Sequence, residues 1–175
     1  MTPVEFRILS RWRVKGNVDD VYDVITTPQD FVRWWSAVYL RVEEVEPGDE
    51  NGVGRIFNLH TRSLLPYTLD WQARATEVEK SSRLVVKAHG DLEGTGEWRF
   101  CQDGDWVRVD YNWTVVANKP WMRYLAPVLR PVYAANHRWA MRKGQQGLER
   151  ELERIRHNRN GERPTPKSVP DHNRY

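Results

Sequence analysis

An amide on a dry helical face is the first chemical signal in this chain. Asn136 falls on the helical phase of Val132 and Ala140 in the stretch VYAANHRWA. An amide held there must find hydrogen-bond partners or cost roughly 1–3 kcal/mol. A polar group of a ligand could be that partner, and so could Tyr111 or a backbone carbonyl. Tyr111 and Tyr133 pose the same alternatives. Arg55 shares the two-residue phase of Phe57, where it could meet a ligand carboxylate or simply reach water at the start of a strand.

The other reactive side chains form no constellation. His60, His89 and His137 lie on different elements, and His157 and His172 sit in or beside a polar tail, so metal-ligand spacing is missing and no metal or cofactor is expected. The single cysteine, Cys101, excludes an internal disulfide and falls on the wet phase of a strand end, a poor setting for a nucleophile. Asp70, Glu97 and Asp110 share a polar face with Arg99 and Arg108, where cross-strand ion pairs suffice to explain them.

The elements that must hold these residues follow from periodicity. Phe6, Ile8, Ser10, Trp12 and Val14 alternate against Arg7, Leu9, Arg11 and Arg13, which predicts a strand with one dry side. VDDVYDVI then has apolar residues at helical spacing and acidic residues in its first turn, and QDFVRWW after Pro28 reads as a second short helix. From Ala37 the period is two, with strands expected at about 37–46, 53–63, 67–79, 82–91, 94–102 and 105–117, separated by turn residues such as Pro47-Gly48-Asp49 and Asp103-Gly104. A long helix should end the domain, entered through broken turns at Pro120 and Pro127 and continuous from about Pro131 to Arg156. Residues 1–157 then form one domain, and 158–175, polar and proline-containing, a disordered tail.

Composition narrows the class. No apolar run approaches the roughly 20 residues of a membrane span. The N-terminus carries arginines inside its apolar pattern and does not read as a signal peptide, so a cytoplasmic protein is expected. Nine tryptophans in 175 residues imply either a bulky core or an aromatic wall around a ligand. Trp12, Trp106 and Trp121 read as packing, edge or exposed residues. Basic and acidic residues are interspersed, and most aromatics fall on inward phases, so no nucleic-acid partner is expected. The helical run Arg138, Arg142, Lys143, Arg150, Arg154 and Arg156, diluted by Glu149, Glu151 and Glu153, is a solvated face or a weak attraction for anionic lipid heads or an acidic partner.

The order of elements, carried by VDDVYDVITTPQDFVRWW, RLVVKAHGDLEGTGEWRF, WVRVDYNWTV and NHRWAMRKGQQGLERELER, resembles the START-like superfamily, also called SRPBCC or polyketide cyclase/dehydrase and Bet v 1-like. The resemblance covers roughly residues 5–155. It implies an α+β helix-grip fold: a curved antiparallel seven-stranded sheet wrapped around a long C-terminal helix, with two short helices between strands 1 and 2. A curved sheet on one helix leaves a space, and a space walled by aromatics is a default ligand site. Its expected lining is Trp35, Arg55, Phe57, Leu59, Trp71, Trp98, Tyr111, Trp113, Val132, Tyr133, Asn136 and Ala140, with Leu129 further along the helix and Phe31 or Trp34 as alternatives to Trp35 at one end.

Three functions are consistent with such a site. The first is binding of a hydrophobic or aromatic small molecule, such as a lipid, polyketide, quinone or sterol-like compound, without chemistry. The second is a polyketide cyclase or aromatase activity, in which the cavity folds a poly-ketone and a sparse set drawn from Tyr111, Asn136, Arg55 and His137 promotes enolisation and water loss. The third is a ligand-responsive or quinone-handling accessory protein that docks through the basic helix face.

Overall fold

The computed structural model describes residues 5–117 and 120–161. In chain order it contains β1 (Glu5–Lys15), α1 (Val18–Ile25), a 3-10 turn (Pro28–Asp30), α2 (Phe31–Trp34), β2 (Tyr39–Glu46), β3 (Ile56–Arg62), β4 (Thr68–Glu79), β5 (Arg83–Gly90), β6 (Leu92–Asp103), β7 (Trp106–Ala117) and α3 (Pro120–Gly161). The seven strands form one sheet in the order β1-β7-β6-β5-β4-β3-β2, every pair antiparallel. β2 to β7 are a meander joined by tight links. β1 departs through α1 and α2 and is met again only when β7 returns beside it, with Phe6 opposite Val115 and Val14 opposite Val107.

The dry phase forms one face of the sheet. Bulges re-aim it where alternation alone would fail: Thr76 is an extra residue between the Ala75–Val86 and Glu77–Val85 pairs, so Val78 rejoins the dry row opposite Leu84. α1 begins at Asn17, whose side chain accepts from the Asp19 N–H, and buries Val21, Tyr22, Val24 and Ile25.

α3 packs along the dry face through a stripe at three- and four-residue spacing that includes Tyr133, Met141, Leu148 and Leu152, all buried. Gly144 and Gly147 belong to this stripe and explain why a helix tolerates them. A Cβ on Gly144 would stand 2.4 Å from Trp35 Cζ2, and one on Gly147 only 1.9 Å from the Trp34 carbonyl oxygen. Their bare backbone is the seat of α2, and the Trp35 indole N–H donates to the Ala140 carbonyl at 3.0 Å. Glu151, buried on the same stripe, joins Arg33 of α2 to Arg154, whose Nη2 lies 2.7 Å from Glu151 Oε1. These two arginines hold the Glu151 carboxyl down at about 2.

Two expectations about α3 change. The helix runs from Pro120 without the interruption foreseen before Pro131. Pro131 is exposed, so water can solvate the carbonyl that its missing N–H leaves unpaired. At the other end α3 extends to Gly161, past the expected tail start at 158, and Arg159 Nη1 pairs with Asp20 of α1 at 2.9 Å. The rest of that tail, 162–175, lies outside the described residues.

Candidate ligand cavity

Between the sheet and the middle of α3 lies a half-open cavity of about 140 Å³. β7 supplies Tyr111, Trp113 and Val115, β6 supplies Leu92 and Trp98, and β4 supplies Leu69 and Trp71. Phe6 and Ile8 of β1, Thr61 and Arg62 of β3, Tyr67, and Trp35, Val38 and Tyr39 around the end of α2 complete the wall on the sheet side. α3 contributes Tyr133, Asn136, His137, Ala140 and Met141. Three of the rings form a ladder: Trp98 stacks on Tyr111 with centroids 3.9 Å apart, and Tyr111 stacks on Trp113 at 5.7 Å. The ladder needs Gly96 opposite Trp113, because a Cβ there would lie 2.8 Å from the Tyr111 hydroxyl and 2.9 Å from the Trp113 ring.

Apart from Arg62, the polar groups on this wall are neutral. Ser10 Oγ lies 3.1 Å from His137 Nε2, and burial pushes the His137 imidazole down to about 4. Burial raises Tyr39 and Tyr111, and pushes Tyr133 up to about 12. The Trp71 indole donates to Thr61 Oγ1 at 3.2 Å, and that hydroxyl donates to the Leu69 carbonyl. Asn136 Oδ1 accepts from the Leu64 N–H at 2.6 Å and from Ser63 Oγ at 3.0 Å. The charged residue in the lining is Arg62, which is exposed.

Eight of the twelve residues expected from the sequence meet here: Trp35, Trp71, Trp98, Tyr111, Trp113, Tyr133, Asn136 and Ala140. Arg55 and Phe57 do not. They line a separate cleft of about 570 Å³ floored by Ala73, Ala75, Leu84 and Val86. Thr26 and Pro28 border that cleft while Trp35 borders the cavity, so α2 lies between the two and divides the dry face. Arg55 is already engaged: its Nε donates to Glu44 Oε1 at 2.8 Å and its guanidinium lies 4.8 Å above the Phe57 ring. Leu59 is buried away from the cavity and borders a polar groove with Asn58, His60 and Gln72. Val132 is half-buried and outside the lining, because the stripe facing the sheet runs through Tyr133, Asn136, His137 and Ala140. Leu129 and Trp121 lie outside the described side chains.

The larger cleft offers less to a ligand. Its rim carries Glu44, Asp49, Glu50, Arg55 and Lys80, but Glu44 and Arg55 neutralise each other, and Asp49 Oδ1 accepts the N–H groups of Asn51 and Val53 in its own turn. The cavity, by contrast, combines aromatic walls with hydrogen-bonding groups that are neutral and preset.

Missing from the expected lining were His137, Met141, Tyr39, Thr61, Leu69 and the β1 residues. Counting by threes and fours from Tyr133 gives His137, Ala140 and Met141, a signal present in the sequence. Phe6 and Ile8 were on the dry phase, but only the β1–β7 pairing brings them to the cavity.

No family model and no curated protein matches the sequence. Solved structures do. A protein from Thermus thermophilus superposes with a TM-score of 0.73 at 14% identity, covering 85% of this chain and 98% of its own. The Zhui aromatase/cyclase from Streptomyces sp. R1128 gives 0.68 at 14% identity, covering 86% and 95%. A START superfamily protein from Mycobacterium smegmatis gives 0.70 at 9% identity, covering 85% and 98%. With a seven-stranded antiparallel sheet, two short helices after its first strand and a long closing helix, this chain has the START-like, SRPBCC and Bet v 1-like helix-grip fold.

Proposed function

We propose that the chain binds a small, mainly apolar aromatic molecule in the cavity between sheet and α3. The observation that carries this reading is the cavity itself, walled by four indoles and lined by neutral polar groups. Its volume of about 140 Å³ compares with the ~150 Å³ of an apolar cavity that accepts benzene. One ring is therefore the natural occupant. A sterol or a long acyl chain exceeds this volume, which makes these the less favoured members of the hydrophobic class.

Catalysis of the cyclase or aromatase kind is the second reading, favoured by His137 stacked beside Tyr111 with ring centroids 6.2 Å apart. Enolisation needs a base whose pKa is near the working pH. An imidazole pushed down to about 4 is a weak base, so binding without chemistry is the better-supported function. Titration of tryptophan fluorescence with one-ring compounds tests the proposal. Saturable quenching in the wild type that is lost in Ala140→Leu, with the fold intact, is the expected result; no saturable binding of any one-ring compound would overturn it.

A further inference from the structure

Asn136 carries more information than its place in the wall. Its side chain has one acceptor and two donor hydrogens. The Leu64 backbone N–H and the Ser63 hydroxyl both approach one atom of the amide, at 2.6 and 3.0 Å. A backbone N–H can only donate, so that atom is the oxygen, and the nitrogen is fixed on the other branch. Both partners come from the segment between β3 and β4, so the amide is held against rotation by the fold.

The nitrogen donates to no described residue, and Asn136 is part of the cavity lining. What it lacks is an acceptor. The neighbouring groups do not supply a charge that would change this. His137 is turned toward Ser10, and Arg62 is exposed. The described carboxylates lie outside the lining, and burial keeps His137 and the tyrosine hydroxyls neutral at physiological pH.

We infer that the ligand is a neutral one-ring molecule bearing a carbonyl-type oxygen, and that the Asn136 Nδ2–H group recognises that oxygen. This deepens, and rests on, the reading of the cavity as a ligand site. A ligand without an acceptor leaves the half-buried Asn136 amide nitrogen without a partner on the ligand. A ligand carboxylate finds a donor, but the lining cation, Arg62, is exposed to solvent and compensates little of its desolvation.

Three one-ring probes separate these cases: acetophenone, toluene and benzoate, each titrated at pH 7 by tryptophan fluorescence. Acetophenone should bind roughly two- to tenfold more tightly than toluene, the span given by one net neutral hydrogen bond. Benzoate should bind more than about a hundredfold more weakly than acetophenone. In Asn136→Asp the oxygen that accepts from Leu64 and Ser63 is retained and the donor is lost, so the acetophenone preference should vanish while toluene still binds. Equal binding of toluene and acetophenone to the wild type, or a preference unchanged in Asn136→Asp, overturns the recognition by Asn136 while leaving the cavity reading intact. A benzoate affinity equal to that of acetophenone would refute the neutrality of the ligand. If neither toluene nor acetophenone binds the wild type, the cavity reading itself fails. The wild-type series decides these points even if the variant does not fold.

Discussion

Acid should destabilise this protein in two separable windows, and His137 sets the first. Its imidazole, between Ser10 of β1 and Tyr111 of β7, is held at about 4 by burial against 6.5 in an open chain. Between those values the unfolded chain takes up a proton that the folded chain refuses, so stability falls as pH falls. At about 1.4 kcal/mol per pH unit, the interval from 6.5 to about 4 amounts to a loss of about 3 kcal/mol. Glu151 sets the second window with the opposite chemistry. Its carboxyl is held at about 2 against 4.5, so the stabilisation from Arg33 and Arg154 is complete above pH 4.5 and disappears as pH falls toward 2. The same arithmetic gives a ceiling of about 3 kcal/mol. Arg33 and Arg154 are 43% and 52% exposed, and solvent screening reduces this to about 1 kcal/mol. Urea unfolding of the wild type, His137→Gln and Glu151→Gln at pH 7.5, 5.5, 4.2 and 3 measures both. His137→Gln should flatten the loss between pH 6.5 and 4, and Glu151→Gln the loss below 4.5. Parallel curves for wild type and His137→Gln across the upper window would refute the burial of a neutral imidazole.

Other perturbations follow from the same contacts. Gly147→Ala should destabilise by about 1–3 kcal/mol, lowering the melting temperature by roughly 2–4 °C per kcal/mol, because its Cβ would overlap the Trp34 carbonyl oxygen; an unchanged or raised melting temperature would show that α2 does not seat there. Gly96→Ala should disrupt the Trp98–Tyr111–Trp113 ladder and change the near-ultraviolet circular dichroism while far-ultraviolet signals persist. Arg55→Ala should leave ligand affinity within twofold of wild type, since Arg55 lies in the other cleft and is paired with Glu44.

The fold was largely legible because two periods alternate cleanly. The dry rows of β3 to β7 and the polar faces opposite them follow from side-chain alternation, and the short links between strands dictate antiparallel neighbours. What alternation could not reveal is where α2 crosses the dry face. Phe57 and Trp71 share the inward phase of adjacent strands, yet one belongs to the cleft and the other to the cavity. That division depends on the close approach of Trp34 and Trp35 to Gly147 and Gly144, a long-range contact with no local signature. Arg55 misled for a related reason: phase put it inside, but the bonding of its guanidinium to Glu44 depends on the β2–β3 register. Asn136 was the clearest signal, since an amide on an apolar stripe requires partners. Ser63 and Leu64 supply two of them, both on the oxygen, and the amide nitrogen with its two hydrogens is the group assigned to the ligand.

The most direct measurement is a two-dimensional spectrum of the protein labelled with nitrogen-15 at tryptophan, titrated with acetophenone. The indole signals of Trp35, Trp71, Trp98 and Trp113, which line the cavity, should shift together and saturate, while those of Trp12, Trp34 and Trp106 stay nearly fixed. Shifts spread evenly over all these indoles, or centred on exposed Trp106, would contradict a ligand site between sheet and helix.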